Sequence, residues 1–455
     1  MMRPKNLLLT AGVLLMAAAC RKDTPVAPAV PTGPVTQAEI NSWMLDSMRY
    51  FYLWNQGLPA TADTSLTAQK YFYGLLNIAD PFSYIYNPDD ATTVATSLYR
   101  NYGLDISVVQ LPGTTKPVGV VKLVASGATL AQSKFSRGSY ITRVNNISLT
   151  PDNAAELFAQ VLGDKRGSFT PATLSDGVFT EGQPVELSFA YPAESPVNVQ
   201  QFSVAGKKVG YLYYNAFADK YNLDLINIFK NFIGSGVTEL ILDLRYNTGG
   251  SIAAAALMTS LIADGVTESS AFIQLTGNNN LGSYKMSFGE TLAVPESGSA
   301  ISFSSLVAAR LRLKRVYVLT GHQTISAAEL VVNNLKPYTN VIQIGATTYG
   351  KDKGAIIIRD QRTPKRIPWV MQPIIYRLGN ANGQGGYTSG ITPQYAVDEM
   401  SVQPLPALGT SNDVLIAKAL ALISGSAREA LNRPRVPVLY ETTPVLHEII
   451  IPRIK

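Results

Sequence analysis

Ser326 lies in the run Thr324-Ile325-Ser326-Ala327-Ala328-Glu329-Leu330, between a strand-like stretch over 316–320 and a helical pattern reaching about residue 335. A serine on such a strand-to-helix turn sits beside free backbone N–H groups and the positive end of the helix dipole, where developing negative charge is favoured. Ser326 and Glu329 also have the Ser-x-x-Glu spacing of a capping box, so an ordinary helix cap fits the same residues. Composition limits what could activate a nucleophile here. The chain holds 2 histidines, His322 on the same turn and His447 in a proline-rich tail that would have to fold back to reach it. A Ser-His-Asp relay needs its base brought in from elsewhere in the fold and oriented by an acid. The chain has no His-x-x-x-His pair, cysteine cluster, P-loop or dinucleotide glycine signature. A nucleophilic Ser326 therefore calls for a lysine base. Lysine serves as one only when burial or neighbouring positive charge brings its pKa down from about 10.4. Lys351, in Gly350-Lys351-Asp352-Lys353-Gly354, lies between strand-like runs over 341–345 and 355–358. Lys353 competes with it, and a lysine in a solvated hairpin fits the same pattern.

The elements that must position these residues follow an α/β alternation from about residue 208. A strand over 209–214, a helix over 223–233 and a strand over 239–244 lead into the turn Arg245-Tyr246-Asn247-Thr248-Gly249-Gly250 and an apolar helix over 252–262. With the 316–320 strand, the Ser326 helix and the 341–345 strand, this order predicts a parallel-rich layered core. Residues 268–305 are polar, rich in Gly and Ser and without period, which reads as an excursion or lid. Further strands follow Trp369, then a Gly- and Asn-rich loop over 379–390, Gly390-Ile391-Thr392-Pro393 and a closing helix over about 412–423. Upstream, Ile40, Met44, Leu45, Met48 and Phe51 recur at helical spacing, and a second helical run over 67–78 precedes Asp80-Pro81-Phe82-Ser83-Tyr84. Their aromatics read as core. Between 101 and 192 come short strands, a helix over 153–162 and a strand over 185–191. The chain has no internal repeats.

A chain of 455 residues has room for about two to four domains. Its 46% hydrophobic content is globular, and 15% charged residues is low for a cytosolic protein but ordinary for an exported one. Net charge is +6, two of it from Arg3 and Lys5 of the presumed leader, too mild and dispersed to indicate nucleic acid. Residues 1–19 read as a bacterial lipoprotein signal peptide, with a basic start, an apolar run over 7–16 and Ala17-Ala18-Ala19 before Cys20, the sole cysteine. The run resembles a lipobox, which makes Cys20 the acylated N-terminus of an envelope protein facing the periplasm, with the outer membrane favoured; a plain secretory leader with an incidental cysteine is the alternative. Residues 21–36 then read as a flexible tether. No other stretch reaches the ~20 apolar residues of a membrane span.

Two resemblances organise these observations. The strand, turn and helix order over 99–195 resembles a PDZ domain, and Gly103-Leu104-Asp105-Ile106 matches that family's carboxylate-binding loop. This implies capture of a peptide C-terminus as an added strand. Ser139 stands where an aspartate is usual, and 167–182 looks like an insertion. The second resemblance is to the C-terminal processing peptidases, or tail-specific proteases, which use a serine–lysine dyad. It rests on Leu242 to Gly250, Thr324 to Leu330 and Gly350-Lys351 in order, with Gly390-Ile391-Thr392-Pro393 and Asp80 to Tyr84 as weaker echoes. It covers about residues 40–423 and implies a crotonase/ClpP-like layered α/β core. The implied organisation is a leader over 1–19, lipidated Cys20 and tether over 20–36, a small helical domain over 37–98, a PDZ-like α+β domain over 99–195, the peptidase core over 200–425 and a tail over 426–455.

By this resemblance Ser326 attacks the scissile carbonyl and Lys351 takes its proton, while the backbone N–H groups of Gly249 and Ala327 form the oxyanion hole. No cofactor or metal is implied, and the partners are polypeptides held by their C-termini. One departure stands out. Many members carry a glutamine four residues past the lysine, and here that position is Ala355. Orientation of Lys351 then falls to another group such as Thr347 or Tyr349, and Asp352 could hold a nearby lysine charged. A peptide-binding lipoprotein with little or no turnover is therefore the alternative function. A carbohydrate-handling lipoprotein has only the leader and the aromatic N-terminal domain behind it.

Overall fold

The computed structural model describes residues 33–192, 197–426 and 435–442. Cys20, the leader, most of the tether and His447 lie outside the described residues.

The alternation around Ser326 folds into a six-stranded sheet, in spatial order Tyr395–Ala396, Asn340–Gly345, Arg315–Thr320, Glu239–Asp243, Lys207–Tyr214, Val197–Val204. All its ladders are parallel except the last, where Val197–Val204 returns antiparallel as an edge. Parallel strands need apolar cover on both faces, and the period-2 geometry of a strand divides their side chains accordingly. Leu240, Leu242, Val316 and Val318 face the helices Asn222–Gly234, Ile252–Ile262 and Ala327–Leu335, meeting Phe229, Leu257 and Val331. Ile241, Tyr317 and Leu319 face the other way, onto Leu415, Ile416 and Ala419 of the helix Val414–Ser424. Every residue of Ile252–Ile262 is buried, as its all-round apolar sequence requires.

Residues 268–305, expected as an excursion or lid, instead build much of a second sheet. Ala271–Thr276 and Ser283–Ser287 form a hairpin that joins Ile374–Gly379 and Lys353–Ala355 in a four-stranded antiparallel layer. Phe272, Ile273, Leu275 and Met286 anchor it in the main core, so the polar appearance of the segment hid an apolar face. The apolar run over 355–358 divides between this layer and a small sheet of Tyr84–Tyr86, Val370–Gln372 and Ile358–Arg359. The helices Gln37–Phe51 and Ala68–Gly74, with Tyr52 just after the first, place Ile40, Met44, Tyr52 and Phe72 in the same continuous core as the helices of the six-stranded layer.

A separate apolar cluster fills the unit over 98–190, where Val108, Val121, Ile141, Phe158 and Phe169 are fully or nearly fully buried. Its sheet runs Leu104–Val109, Val118–Val124, Tyr140–Val144, Arg166–Ser175, Val178–Glu181, with the helix Ala154–Asp164 packed alongside. Within residues 167–182, expected as an insertion, the strands Arg166–Ser175 and Val178–Glu181 join this sheet, with Phe169 and Thr170 paired to Val144 and Arg143. An outer strand, Val438–Glu441 from the far end of the chain, lies against Leu104–Val109.

Candidate active site

The strand Arg315–Thr320 delivers the chain into the turn before Ser326, and that turn is bonded to the exit of the neighbouring strand. Gly321 N donates to Thr324 Oγ1 (2.9 Å), Thr324 Oγ1 donates to Leu244 O (2.8 Å), and Ile325 N donates to Asn247 O (2.9 Å). Ser326 follows at φ 64° and ψ −117°. An L-residue held in this region stores about 1–3 kcal/mol of strain, which persists only where surrounding bonds over-determine the backbone. A strained serine between a strand and a helix is the geometry by which a nucleophile's Oγ is turned out from the backbone. The Ser326 side chain is buried and its Oγ makes no hydrogen bond among the described residues. The capping reading is thus met from the Glu329 side only: Ser326 N donates to Glu329 Oε2 (2.9 Å).

Glu329 does more than close that turn. Its Oε1 accepts Thr348 Oγ1 and Gly350 N, each at 2.6 Å, and its Oε2 accepts Lys351 N at 2.8 Å. One fully buried carboxylate therefore holds the backbone of the serine and the backbone of the lysine. Burial pushes its pKa up, against the opposing pull of Thr348 and of the Ser326, Gly350 and Lys351 amides. Thr348 carries the network onward, accepting Ile391 N at 2.7 Å. Thr348 thus braces the lysine loop through Glu329, and Tyr349 N adds a bond to Thr324 O at 3.1 Å. Gly350 has to be glycine: at φ 106° a Cβ would fall 2.4 Å from Thr388 O.

Lys351 is fully buried, with Nζ 5.3 Å from the centre of the Phe82 ring, and Lys353 Nζ lies 5.9 Å from the same ring. The Lys353 ammonium bonds Asp352 Oδ1 at 2.5 Å. Phe82 is placed by its own motif, in which Asp80 accepts the backbone N–H groups of Phe82 and Ser83, both at 3.0 Å, and the Ser83 hydroxyl receives Ile374 N at 2.8 Å. Ala355 packs with Phe82 and Ile374. Sequence reading found Asp80 to Tyr84 as a motif but gave it no place at the lysine. No local signal linked the two, because the contact spans most of the chain.

The glycine turn stands on the other side. Gly249 and Gly250 have φ 106° and 131°, and a Cβ on Gly250 would fall 2.2 Å from Phe217 O. The Gly249 N–H donates to Asn247 Oδ1 at 2.8 Å, so this amide is engaged within its own turn here. Ala327 opens the helix, where first-turn amides have no partner within the helix. The turn, the serine and the lysine loop are thus tied together through Ile325 and Glu329, with the Ser326 hydroxyl buried and not hydrogen-bonded to Lys351. Catalytic hydrogen bonds commonly tighten only when substrate is bound. His322 is exposed on the turn. Among the described residues no group of three or more His, Cys, Asp or Glu is arranged to hold a metal, and no helix is long and apolar enough to cross a membrane.

A second polar centre lies behind the glycine turn. Arg245, fully buried, bonds Asp243 Oδ2 and Asp413 Oδ2 at 2.8 Å and Glu399 Oε1 at 3.1 Å. Arg137 of the smaller unit joins it through Glu399 (2.5 Å) and Tyr246 Oη (2.6 Å). From the same unit Asp105 accepts Gln323 Nε2 at 3.5 Å; of the expected 103–106 loop, Leu104, Asp105 and Ile106 are instead the first residues of the strand Leu104–Val109. Gly103, at φ 74°, caps the short helix Leu98–Tyr102 and leads directly into that strand.

Comparison with known proteins gives the family and the fold. Residues 208–397 match the model of peptidase family S41, and residues 39–84 match the S41 N-terminal domain. Among curated proteins, the chain is 22% identical over 282 residues to the chloroplastic carboxyl-terminal-processing peptidase 1 of Arabidopsis thaliana, covering 61% of this chain and 52% of that one. It is 23% identical over 335 residues to the carboxy-terminal processing protease CtpA of Bacillus subtilis, covering 73% and 64%. The chain thus spans between half and two thirds of the length of these relatives. A crystal structure from Bacteroides fragilis assigned to the S41 proteases superposes with a TM-score of 0.66 at 24% identity, over 87% of this chain and 99% of that one, which shows the shared fold. With the peptidase domain and the N-terminal domain of one family present in order, the chain belongs to peptidase family S41.

Proposed function

We propose that this protein is a serine endopeptidase of the cell envelope that cleaves unfolded or C-terminally recognised polypeptides. The observation that carries the reading is the Glu329 carboxylate, which binds the backbone N–H of Ser326 on the same oxygen as that of Lys351. In this reading Ser326 Oγ adds to the scissile carbonyl as its proton passes to unprotonated Lys351, and the tetrahedral oxyanion is met by the N–H groups of Gly249 and Ala327. Protonated Lys351 then returns the proton to the departing amine. Water repeats the sequence on the acyl-enzyme. Gly249 must exchange its bond to Asn247 for the oxyanion, so substrate entry rearranges the glycine turn. The unit over 99–195 acts as a PDZ-like module, presenting the Gly103–Ile106 segment to a substrate's C-terminus, and Cys20 carries the lipid anchor. The fold and the names of its curated relatives support the peptidase role, and the lipid anchor rests on the sequence of residues 1–20 alone. Incubation with an unfolded protein tests the assignment: wild type yields fragments and Ser326→Ala does not, whereas equal cleavage by both would refute it.

Ala355 favours a second reading, a binding protein with little turnover, because its methyl offers the lysine loop no hydrogen bond. Saturable binding of C-terminal peptides with no Ser326-dependent product would select it.

A further inference from the structure

The outer strand of the smaller unit comes from the chain's own tail. Val438–Glu441 runs antiparallel to Leu104–Val109, with Ser107 opposite Glu441, Val108 opposite Tyr440 and Val109 opposite Val438. The segment therefore heads toward Gly103 and the start of that strand. It arrives there at Thr442, whose N–H donates to Ile106 O (3.1 Å) and whose hydroxyl accepts Ile106 N (3.2 Å) and donates to Asp105 Oδ1 (2.8 Å). On the other side the Tyr440 ring stacks on Phe158 of the helix Ala154–Asp164, with centres 5.7 Å apart and planes 19° apart. Glu441 is held by Lys122 Nζ at 3.3 Å. An extended segment lodged between an edge strand and a helix, pointed at Gly103, has the placement of a peptide bound by β-augmentation.

We propose that residues 438–442 are a built-in ligand of this groove, which an incoming polypeptide must displace. The inference rests on the reading of the groove as a peptide site. It adds that the site is occupied by its own chain while the Ser326 hydroxyl is buried. Displacement would be felt at the nucleophile turn. Asp105, which receives Thr442, also receives Gln323, three residues before Ser326. A cavity of about 940 Å³ is walled jointly by His322, Gln323 and Arg245 of the core and by Val436, Val438 and Glu441 of the tail. A segment of the same chain presents itself at an effective concentration of order mM, so a free peptide of equal intrinsic affinity competes only near that concentration.

The test measures binding of a fluorescent peptide copying residues 436–442, with a free carboxylate, to the full chain by anisotropy. Ser107→Cys with Glu441→Cys, in a Cys20→Ala background, lets a disulfide fix the tail on the strand, since directly opposed residues of an antiparallel pair lie within disulfide reach. The oxidised form should lose the peptide and reduction should restore it. Tyr440→Ala, which removes the stacking ring, should bind at least about tenfold tighter than wild type because the tethered competitor is weakened. Equal binding by the oxidised, reduced and Tyr440→Ala forms would leave a peptide site but overturn its occupation by the tail. No binding by any form would overturn the peptide site and the inference together.

Discussion

Replacing Glu329 by glutamine is the most informative change at the scale of single residues. Each carboxylate oxygen accepts two hydrogen bonds, and an amide nitrogen accepts none, so the swap strands either Thr348 and Gly350 or Ser326 and Lys351. A buried donor left without an acceptor costs about 1–3 kcal/mol, so kcat/KM for Glu329→Gln should fall by about tenfold or more while the protein stays folded. Activity within twofold of wild type would show that the network does not position the dyad. Phe82→Leu tests the lysine from the other side. It keeps an apolar side chain but removes the ring against which both lysine amines sit, loosening the packing that positions Lys351. A fall in kcat of about tenfold with unchanged KM is expected from the misplaced amine; a change in KM alone would place Phe82 in substrate binding instead. Both residues had been visible only as local patterns. The Glu329 spacing was fully accounted for by a helix cap, and nothing near Phe82 in sequence announces a lysine.

At the scale of elements, the loop carrying Lys351 depends on close backbone contact. Gly350→Ala places a Cβ 2.4 Å from Thr388 O at φ 106°, so a loss of stability above about 1–3 kcal/mol is expected, read as a lowered midpoint in urea. Gly163→Ala is the matched control: it lies in the helix Ala154–Asp164 with no atom near the added methyl, so it should be neutral or stabilising by up to about 1 kcal/mol. Equal effects of the two would contradict the packing described. Elements whose pattern shows in their own residues were legible in the sequence, among them the largely apolar helix Ile252–Ile262 and the strands Glu239–Asp243 and Arg315–Thr320. Elements that exist only through a distant partner were not. Ala271–Thr276 needs Ile374–Gly379, and Val438–Glu441 needs Leu104–Val109; neither pairing has a local signature.

For the whole molecule, the joint between the smaller unit and the peptidase core is electrostatic. Burial raises the Glu399 carboxyl, but Arg137 and Arg245 outweigh it, with Tyr246 adding a hydrogen bond, and hold it at about 2 against an ordinary 4.5. A depressed carboxylate contributes stability that is present above its unfolded value and is lost as pH falls through the folded one. Stability should therefore decline between pH 4.5 and 2, with Glu399 contributing on the order of 3 kcal/mol of that decline. Glu399→Gln should flatten that part of the curve in thermal melts taken across this range. An unchanged slope would mean that the joint does not govern acid stability. The fold class and the order of the chemical blocks could be read from sequence because they run along the chain. The convergence of Asp80 to Tyr84, Glu329, Lys351 and Gly390-Ile391 on one point could not, because it belongs to the folded molecule alone.

The central claim is that Ser326 and Lys351 act as one catalytic unit. It is tested most directly by kcat/KM on a single unfolded substrate for wild type, Ser326→Ala, Lys351→Met and the double variant. Groups that act together are non-additive. Each single change is therefore expected to lower kcat/KM by about a thousandfold or more, and the double variant to be no slower than either. A Lys351→Met enzyme within about tenfold of wild type, or a double variant whose loss is the product of the two single losses, would contradict the account.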